Sequence, residues 1–523
     1  MSSRRLTERE AENGLTKLNW VAQRWPDSGR RKLEGAIAAN PDRLLPLVVE
    51  VAIASGDPIG QVAADWLQKH PDAHLAASIH DKIPYPTIAL RELAQVVTAV
   101  LADSTSADAE DAKGLRALRL SNMAVRLVDL GRIEDALVAI EEAVSLFRQL
   151  ADAEPDMYET ELAMSLSNMS NILSDLGRVD EALEPIHESV QLRRRLAEMR
   201  PEEYRADLAN SLSNLAGRLI ALGRYEGALL AINEAVLLQR GLATERPEAF
   251  RPELAVSLNN LSATLFTIGR KEEGLVAIEE ATALYRTLAE VRPDAFLPDL
   301  ATSLNNLSNG LSEIGNVEDA ITTIQEAVSI RRRLAEVRPN TFRSDLAMSL
   351  VNLSNCLADL GRGDEALAAS EEAVALYRAL ADERPEAYRA DLALSLHGLS
   401  ARLFDQWRLE SALDAVEEAL SIRCDAANLR PAAARANLAP TYGVRGAILR
   451  AMGRHTASSN SLRDGISALA EQFLELPQAH AGLIRALVRD YHVACEDAQL
   501  EPDAELLAPI EKKLVEIGGI GAP

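Results

Sequence analysis

One interval governs this sequence. Glycine recurs at Gly131, Gly177, Gly223, Gly269, Gly315 and Gly361, gives way to Trp407, and returns at Gly453, each step being 46 residues. Proline keeps the same spacing through Pro155, Pro201, Pro247, Pro293, Pro339, Pro385, Pro431 and Pro477. Two independent columns of helix-breaking residues with one period mark eight units of a tandem array, which grows by adding neighbours and not by enlarging a single core.

Within a unit the pattern is that of two helices. Residues 161–176 carry Leu162, Leu166, Met169, Leu173 and Leu176 at the three-and-four spacing of an amphipathic helix. Gly177 is placed to end it with a left-handed residue. Asp180 and Glu181 open a second helix, acids being favoured at the positive end of the dipole. That helix continues through Ala182, Ile186 and Leu192 to about Met199, where Pro201 is expected to stop it. An aromatic column follows (Tyr204, Phe250, Phe296, Phe342, Tyr388), expected to pack the connection between units. Acids come next, at Asp207, Glu253, Asp299, Asp345 and Asp391, expected to cap each following first helix.

The expectation is an all-α solenoid of helix-turn-helix units over residues 112–477. Residues 1–110 lack the columns but read as helical near 8–24, 28–39, 42–55, 58–69 and 87–102, a separate helical domain or cap joined by a small, acidic linker at 104–112. The columns decay at the other end. Gly398 breaks an asparagine series, Trp407 breaks the glycine series and Pro440 enters the eighth first helix, while 479–497 and 503–517 read as closing helices. Terminal units of an array are atypical because one face meets water.

Composition agrees with packed helices: 47% of the residues are hydrophobic and only 4% aromatic. The formal net charge of −24 sets the chain against phosphate backbones and anionic lipid, so neither nucleic acid nor membrane is expected as partner, and a protein with a basic segment is the electrostatic complement. Cys356, Cys424 and Cys495 show no disulfide or zinc spacing. The N-terminus is charged, and the longest apolar run, 44–54, is interrupted by Pro46 and Glu50, so a cytoplasmic protein is expected.

Leu166, Met169, Ser170 and Leu173, followed by Ala182 and Ile186, resemble the tetratricopeptide-repeat pattern of large, large, small, large on one helix and alanine with a large residue on the next. Leu212, Leu215, Ala216, Leu219, Ala228 and Ile232 repeat it, as do Leu350, Leu353, Ser354, Leu357 and Ala366. Leucine replaces the usual tryptophan and tyrosine, and the period exceeds the common 34 residues, the extra length falling after the core alanine of the second helix. Long repeats with Asn-Leu on the first helix are similar to those of kinesin light chains. The phrasing also resembles the sensor arms of bacterial signalling ATPases and of caspase-like proteases. The resemblance implies a right-handed superhelix whose concave groove, lined by first helices, binds a peptide or protein. It also implies an alternative, a sensor or regulatory subunit working with a separately encoded effector.

Asn122, Asn168, Asn214, Asn260, Asn306 and Asn352 occupy one position in six successive units. An amide offers both donor and acceptor, so such a ladder can either hold peptide backbone or bridge neighbouring helices. The resemblance implies the first role. Asn259, Asn305, Asn171, Asn309 and Asn355 lie beside the column, and the middle units, with Asn259, Asn260, Asn305, Asn306 and Asn309, are the preferred binding site. Arg148, Arg194, Arg240, Arg286, Arg332 and Arg378 form a cationic column late in the second helices, expected to pair with acids of the same or adjacent units. No phosphate loop, dinucleotide fingerprint, nucleophile elbow or HExxH helix is present. His70 and His74 flank Pro71 with no third ligand, and His492 with Cys495 has no oxyanion site nearby. No cofactor, metal or catalytic residue is assigned. An enzyme with its site in a terminal segment is the least favoured reading.

Overall fold

The computed structural model describes residues 8–56, 58–80, 82–83, 90–103, 110–429 and 435–518. Among the described residues there are 24 α-helices, one 3-10 turn and no strand. The chain divides into two compact units, Met1–Thr264 and Leu265–Pro523.

The first unit begins with α1 (Glu8–Arg24), α2 (Pro26–Ala39), α3 (Pro41–Ser55), α4 (Ile59–Lys69), α5 (Ala73–His80) and α6 (Arg91–Asp103). Their shared core is aliphatic, built on Leu33, Ile37, Leu45, Val48, Ile59, Leu67 and Leu93. Asn19 is fully buried there and satisfied on all sides. Its Nδ2 donates to Ser55 Oγ (3.0 Å) and the Gly56 carbonyl (2.8 Å), while its Oδ1 accepts from the Ile59 amide (3.0 Å), tying α1 to the α3–α4 corner. Five of these helices fall where the hydrophobic pattern puts them. The short α5, between Pro71 and the prolines at 84 and 86, is an addition.

Helical hairpins follow: α7 (Glu110–Asp129) with α8 (Ile133–Ala153), α9 (Pro155–Asp175) with α10 (Val179–Met199), and α11 (Pro201–Ala221) with α12 (Tyr225–Glu245). The unit boundary falls inside α13 (Pro247–Thr267). The second unit continues with α14 (Lys271–Val291), then α15 (Pro293–Glu313) with α16 (Val317–Val337), α17 (Pro339–Asp359) with α18 (Gly363–Glu383), and α19 (Pro385–Asp405) with α20 (Leu409–Leu429). It closes with α21 (Ala439–Ala451), α22 (His455–Glu475), α23 (Pro477–Ala498) and α24 (Ala504–Glu516). From α7 to α12, and again from α14 to α20, each helix packs on the next, as in a tetratricopeptide-type solenoid. Pro431 and most of the expected 104–112 linker lie outside the described residues.

Two expectations about helix ends need correction. Pro201 and its equivalents do not merely stop the second helix. They occupy the first turn of the next first helix, where a missing N–H costs nothing and the fixed φ suits the helix. The acid column therefore caps nothing: Asp207, Glu253, Asp299, Asp345 and Asp391 lie in the second turn, inside α11, α13, α15, α17 and α19. The residue just before the proline is an arginine in the later units, and its guanidinium lies over the aromatic ring four residues on, as in Arg200–Tyr204, Arg246–Phe250, Arg292–Phe296 and Arg384–Tyr388, at 4.8–5.1 Å.

The glycine column does what its spacing predicts. Gly177 has φ of 74°, its amide donates to the Ser174 carbonyl (2.9 Å), and the Arg178 amide donates to the Leu173 carbonyl (2.8 Å), the double closure of a Schellman end. Trp407 adopts the same turn at φ 58°, with Trp407 N to Phe404 O and Arg408 N to Leu403 O both at 2.9 Å. A second exchange involves the core alanine of the second helix, which is fully buried at Ala182, Ala228, Ala320 and Ala366 but is Gly274 in α14. The space goes to Phe266: a Cβ on Gly274 would stand 2.9 Å from that ring, and one on Gly310 would stand 2.5 Å from it.

Candidate binding face

Each first helix buries one side and leaves another open. In α11 the buried positions are Tyr204, Leu208, Ala209, Ser211, Leu212, Leu215, Ala216 and Leu219. The open side runs through Asn210, Asn214 and Gly217, at the three-and-four steps that keep a helix face.

A serine column that sequence reasoning passed over sets how closely the first helices approach. Ser165, Ser211, Ser257, Ser303, Ser349 and Ser395 recur every 46 residues and are all buried, with Thr441 continuing the series. Ser165 Oγ donates to Ser121 (3.3 Å), Ser211 meets Ser167 (3.1 Å), Ser257 meets Ser213 (3.1 Å), and Ser349 donates to Asn305 Oδ1 (3.3 Å). Small hydroxyls let neighbouring helices come close while satisfying their own polar atoms. The 46-residue recurrence of serine was the signal available for finding them.

The second helices contribute a variable column into this seam: Phe147, Arg193, Gln239, Tyr285, Arg331, Tyr377 and Arg423. Arg331 is among the largest fully buried side chains. Its guanidinium donates to the Asp345 carbonyl (2.8 Å), to Ser349 Oγ and to Thr302 Oγ1 (3.2 Å). Arg193 repeats the arrangement on the Asp207 carbonyl (2.9 Å) and Ser211, and Arg423 on the Asn437 carbonyl (2.6 Å) and Thr441. Burial pushes all three guanidinium values down, and the charge of Asp207 or Asp345 partly restores the first two.

The asparagines separate into two groups. Asn260, Asn306, Asn309 and Asn355 are exposed, and Asn168, Asn214 and Asn352 are half-buried at the same face. Asn305 is buried and turned into the seam, where Oδ1 also accepts from Asn352 Nδ2 (3.1 Å). Asn259, in the same register, is half-buried. Asn171 accepts from Arg218 (2.8 Å), a guanidinium whose value burial lowers. The structure thus places Asn306 with Asn309 and Asn352 with Asn355 on open faces, and gives Asn305 a helix-bridging role.

Four residues before each column asparagine is a position that sequence reasoning missed. Leu118, Met164 and Val256 in the first unit, and Met348 and Leu394 in the second, are exposed there, Leu394 by 54%. Asn210 and Thr302 complete the column. Each lies a turn beyond the acid column on the same face.

On the second helices the arginine column pairs forward as expected. Arg148 meets Glu188, Arg194 meets Glu234, Arg286 meets Glu326 (2.6 Å), Arg332 meets Glu372 and Arg378 meets Glu418 (2.7 Å). These pairs are half exposed, so each contributes about 0–1 kcal/mol. Among the described residues no group of three or more His, Cys, Asp or Glu could hold a metal, and no helix is long and apolar enough to cross a membrane.

Paired helices of one length, repeated at one interval with small residues in every seam, define a helical-repeat protein. A model described as tetratricopeptide repeat matches residues 162–198, 300–339, 346–384 and 392–429, and one described as anaphase-promoting complex subunit 5 matches 106–155. Those four segments are tetratricopeptide repeats of a long kind. No curated protein is matched by the sequence. Solved structures similar to it include a Signal Transduction ATPase with Numerous Domains protein with a tetratricopeptide repeat sensor from Pyrococcus horikoshii (13% identity, 92% of this chain and 75% of that one, TM-score 0.44). Others are aspartyl phosphate phosphatase F from Bacillus subtilis (12%, 81% and 96%, TM-score 0.44) and a putative kinesin light chain with nearly identical repeats from Podosopora anserina (18%, 43% and 98%, TM-score 0.34).

Proposed function

We propose that this protein is a non-catalytic scaffold of the cytoplasm that holds a segment of another protein against the open face of its first helices. The observation that carries the reading is the exposed track on that face. Exposed apolar side chains (Met164, Val256, Met348) stand one turn before amides (Asn168, Asn260, Asn352) on their helices, and Leu394 extends the apolar column. Apolar residues in a repeated exposed column mark an interaction surface more than a single exposed leucine does. Amides one turn away supply paired donors and acceptors for a partner's backbone. With a net charge of −24, the chain suits a partner segment of positive charge. A sensor or regulatory subunit acting on a separate effector would use the same face, and the identity of the partner distinguishes the two.

The test is positional cross-linking in the protein's own cells. A photo-reactive side chain in place of Met348 or Asn306 is expected to give a discrete adduct, whereas one in place of Val138, exposed on a second helix, is not. Purified partner should then bind at least about tenfold more weakly when Asn214, Asn260 and Asn306 are all changed to Ala, a loss of about 1.4 kcal/mol. Adducts from Val138 alone, or none from the open face, would overturn the reading.

A further inference from the structure

The six acids of the first helices are one column in sequence but two kinds of site in the structure. The second-helix residue 14 positions earlier varies from repeat to repeat. In the first unit that residue is Arg193 for Asp207, whose charge acts on it, whereas it is Phe147 for Glu161 and Gln239 for Glu253. In the second unit that residue is Arg331 for Asp345, whose charge acts on it, whereas it is Tyr285 for Asp299 and Tyr377 for Asp391. Asp207 and Asp345 therefore have a buried guanidinium beside them. At the other four the corresponding second-helix residue is uncharged.

The uncompensated state shows in independent ways. Glu161 Oε2 and Glu253 Oε2 are buried and accept no hydrogen bond. Partial burial pushes the carboxyls of Asp299 and Asp391 up from their ordinary value, with no neighbouring cation to offset it. An unpaired, partly desolvated carboxylate costs the folded chain free energy. Each of the four also stands one turn before a position of the exposed column: Glu161 before Met164, Glu253 before Val256, Asp299 before Thr302, and Asp391 before Leu394.

We propose that, within each unit, these acids are the specificity-determining rungs of the binding face, each taking a lysine or arginine of an extended partner segment lying along that unit while the neighbouring exposed column takes that segment's aliphatic side chains. This rests on the open-face reading above and adds its register. Glu161 and Glu253 read charge in the first unit, and Asp299 and Asp391 in the second. Asp207 and Asp345 are silent because the protein's own arginines already answer them. The partner is a basic, aliphatic protein segment. The acids do not suit a nucleic acid or an acidic peptide, and a purely polar basic tail would leave the apolar column uncovered.

The experiment uses the full chain and three labelled peptides of equal length, built on repeats of Lys-Leu-Gly-Ser, Lys-Ser-Gly-Ser and Glu-Leu-Gly-Ser. The Lys-Leu peptide is expected to bind best. Glu253→Gln with Asp391→Asn should weaken it about tenfold, and Asp207→Asn with Asp345→Asn by less than about twofold. Thermal unfolding without peptide gives a second readout with opposite signs. Neutralising Glu253 relieves an unpaired charge and raises Tm, whereas neutralising Asp207 removes the charge that offsets the burial of Arg193 and lowers it. Equal losses from both pairs, or equal binding of the Lys-Ser peptide, would overturn the assignment of rungs. So would absence of peptide binding in a chain that still forms its open-face adduct in cells. Loss of that adduct as well would remove the scaffold reading itself.

Discussion

The hairpins α9 to α12 and the hairpin α19–α20 are built on one template, and the second departs from it at two positions. In α9 to α12 the seam holds Ser167 and Ser211 in contact at 3.1 Å, and the turns are Gly177 and Gly223 at φ of 74° and 68°. In α19 the position equivalent to Ser167 is His397, whose Nδ1 is buried without a hydrogen bond. Burial, with Arg423 and Arg402 nearby, pushes its imidazole down to about 4. The turn glycine is Trp407, left-handed and 75% exposed. The architecture survives both changes because the packing of neighbours over-determines it, but polar satisfaction and backbone ease are lost locally.

The largest effect that should sharpen this contrast is a pH slope. An unfolded chain protonates His397 near 6.5, while the folded chain resists until about 4, so stability should fall as pH drops through that window and level off below it. The loss is on the order of 3 kcal/mol, and His397→Val, the residue found at the equivalent Val351, should abolish that part of the slope in urea melts at a series of pH values. If the variant keeps the full slope, His397 is not the buried orphan described here.

Next in size is the exchange around Phe266. Gly310→Ala forces a methyl against that ring and should cost about 1–3 kcal/mol, whereas Gly217→Ala, with open space around it, should be neutral or gain up to about 1 kcal/mol from helix propensity. Equal urea midpoints for the two variants would show that the close approach is not felt. Smallest is Trp407→Gly, which relieves a left-handed non-glycine residue and should raise stability by about 1 kcal/mol. A lowered Tm would mean that the ring contributes more to the fold than its exposure indicates.

Much of this was legible before any coordinates. Gly177 and Pro201 disclose turn and helix start because few residues satisfy those backbone demands. The acid column was misread because Asp207 looks like a cap only if the helix starts beside it, and Pro201 starts it six residues earlier. Asn305 and Asn306 are adjacent in sequence yet one turns into the seam and the other outward, a difference of phase that amide composition does not carry. Which acids are answered by an arginine depends on residues 14 positions earlier on another helix, so that division emerges only from packing. Met164, Val256 and Leu394 obey the same interval as the glycines. They were overlooked because apolar residues in a helix are first assigned to its core.

The arginine–glutamate ladder of the second helices points one way throughout, arginine on the earlier hairpin and glutamate on the later. A chain cut between two such hairpins would leave a bare positive end on the upstream fragment and a bare negative end on the downstream one. That pair is a weak, salt-screened key, worth about 0–1 kcal/mol beside the apolar contacts of the seam. Cys424, standing where the next arginine belongs, removes that key after α20 and marks where the series of interchangeable joints finishes.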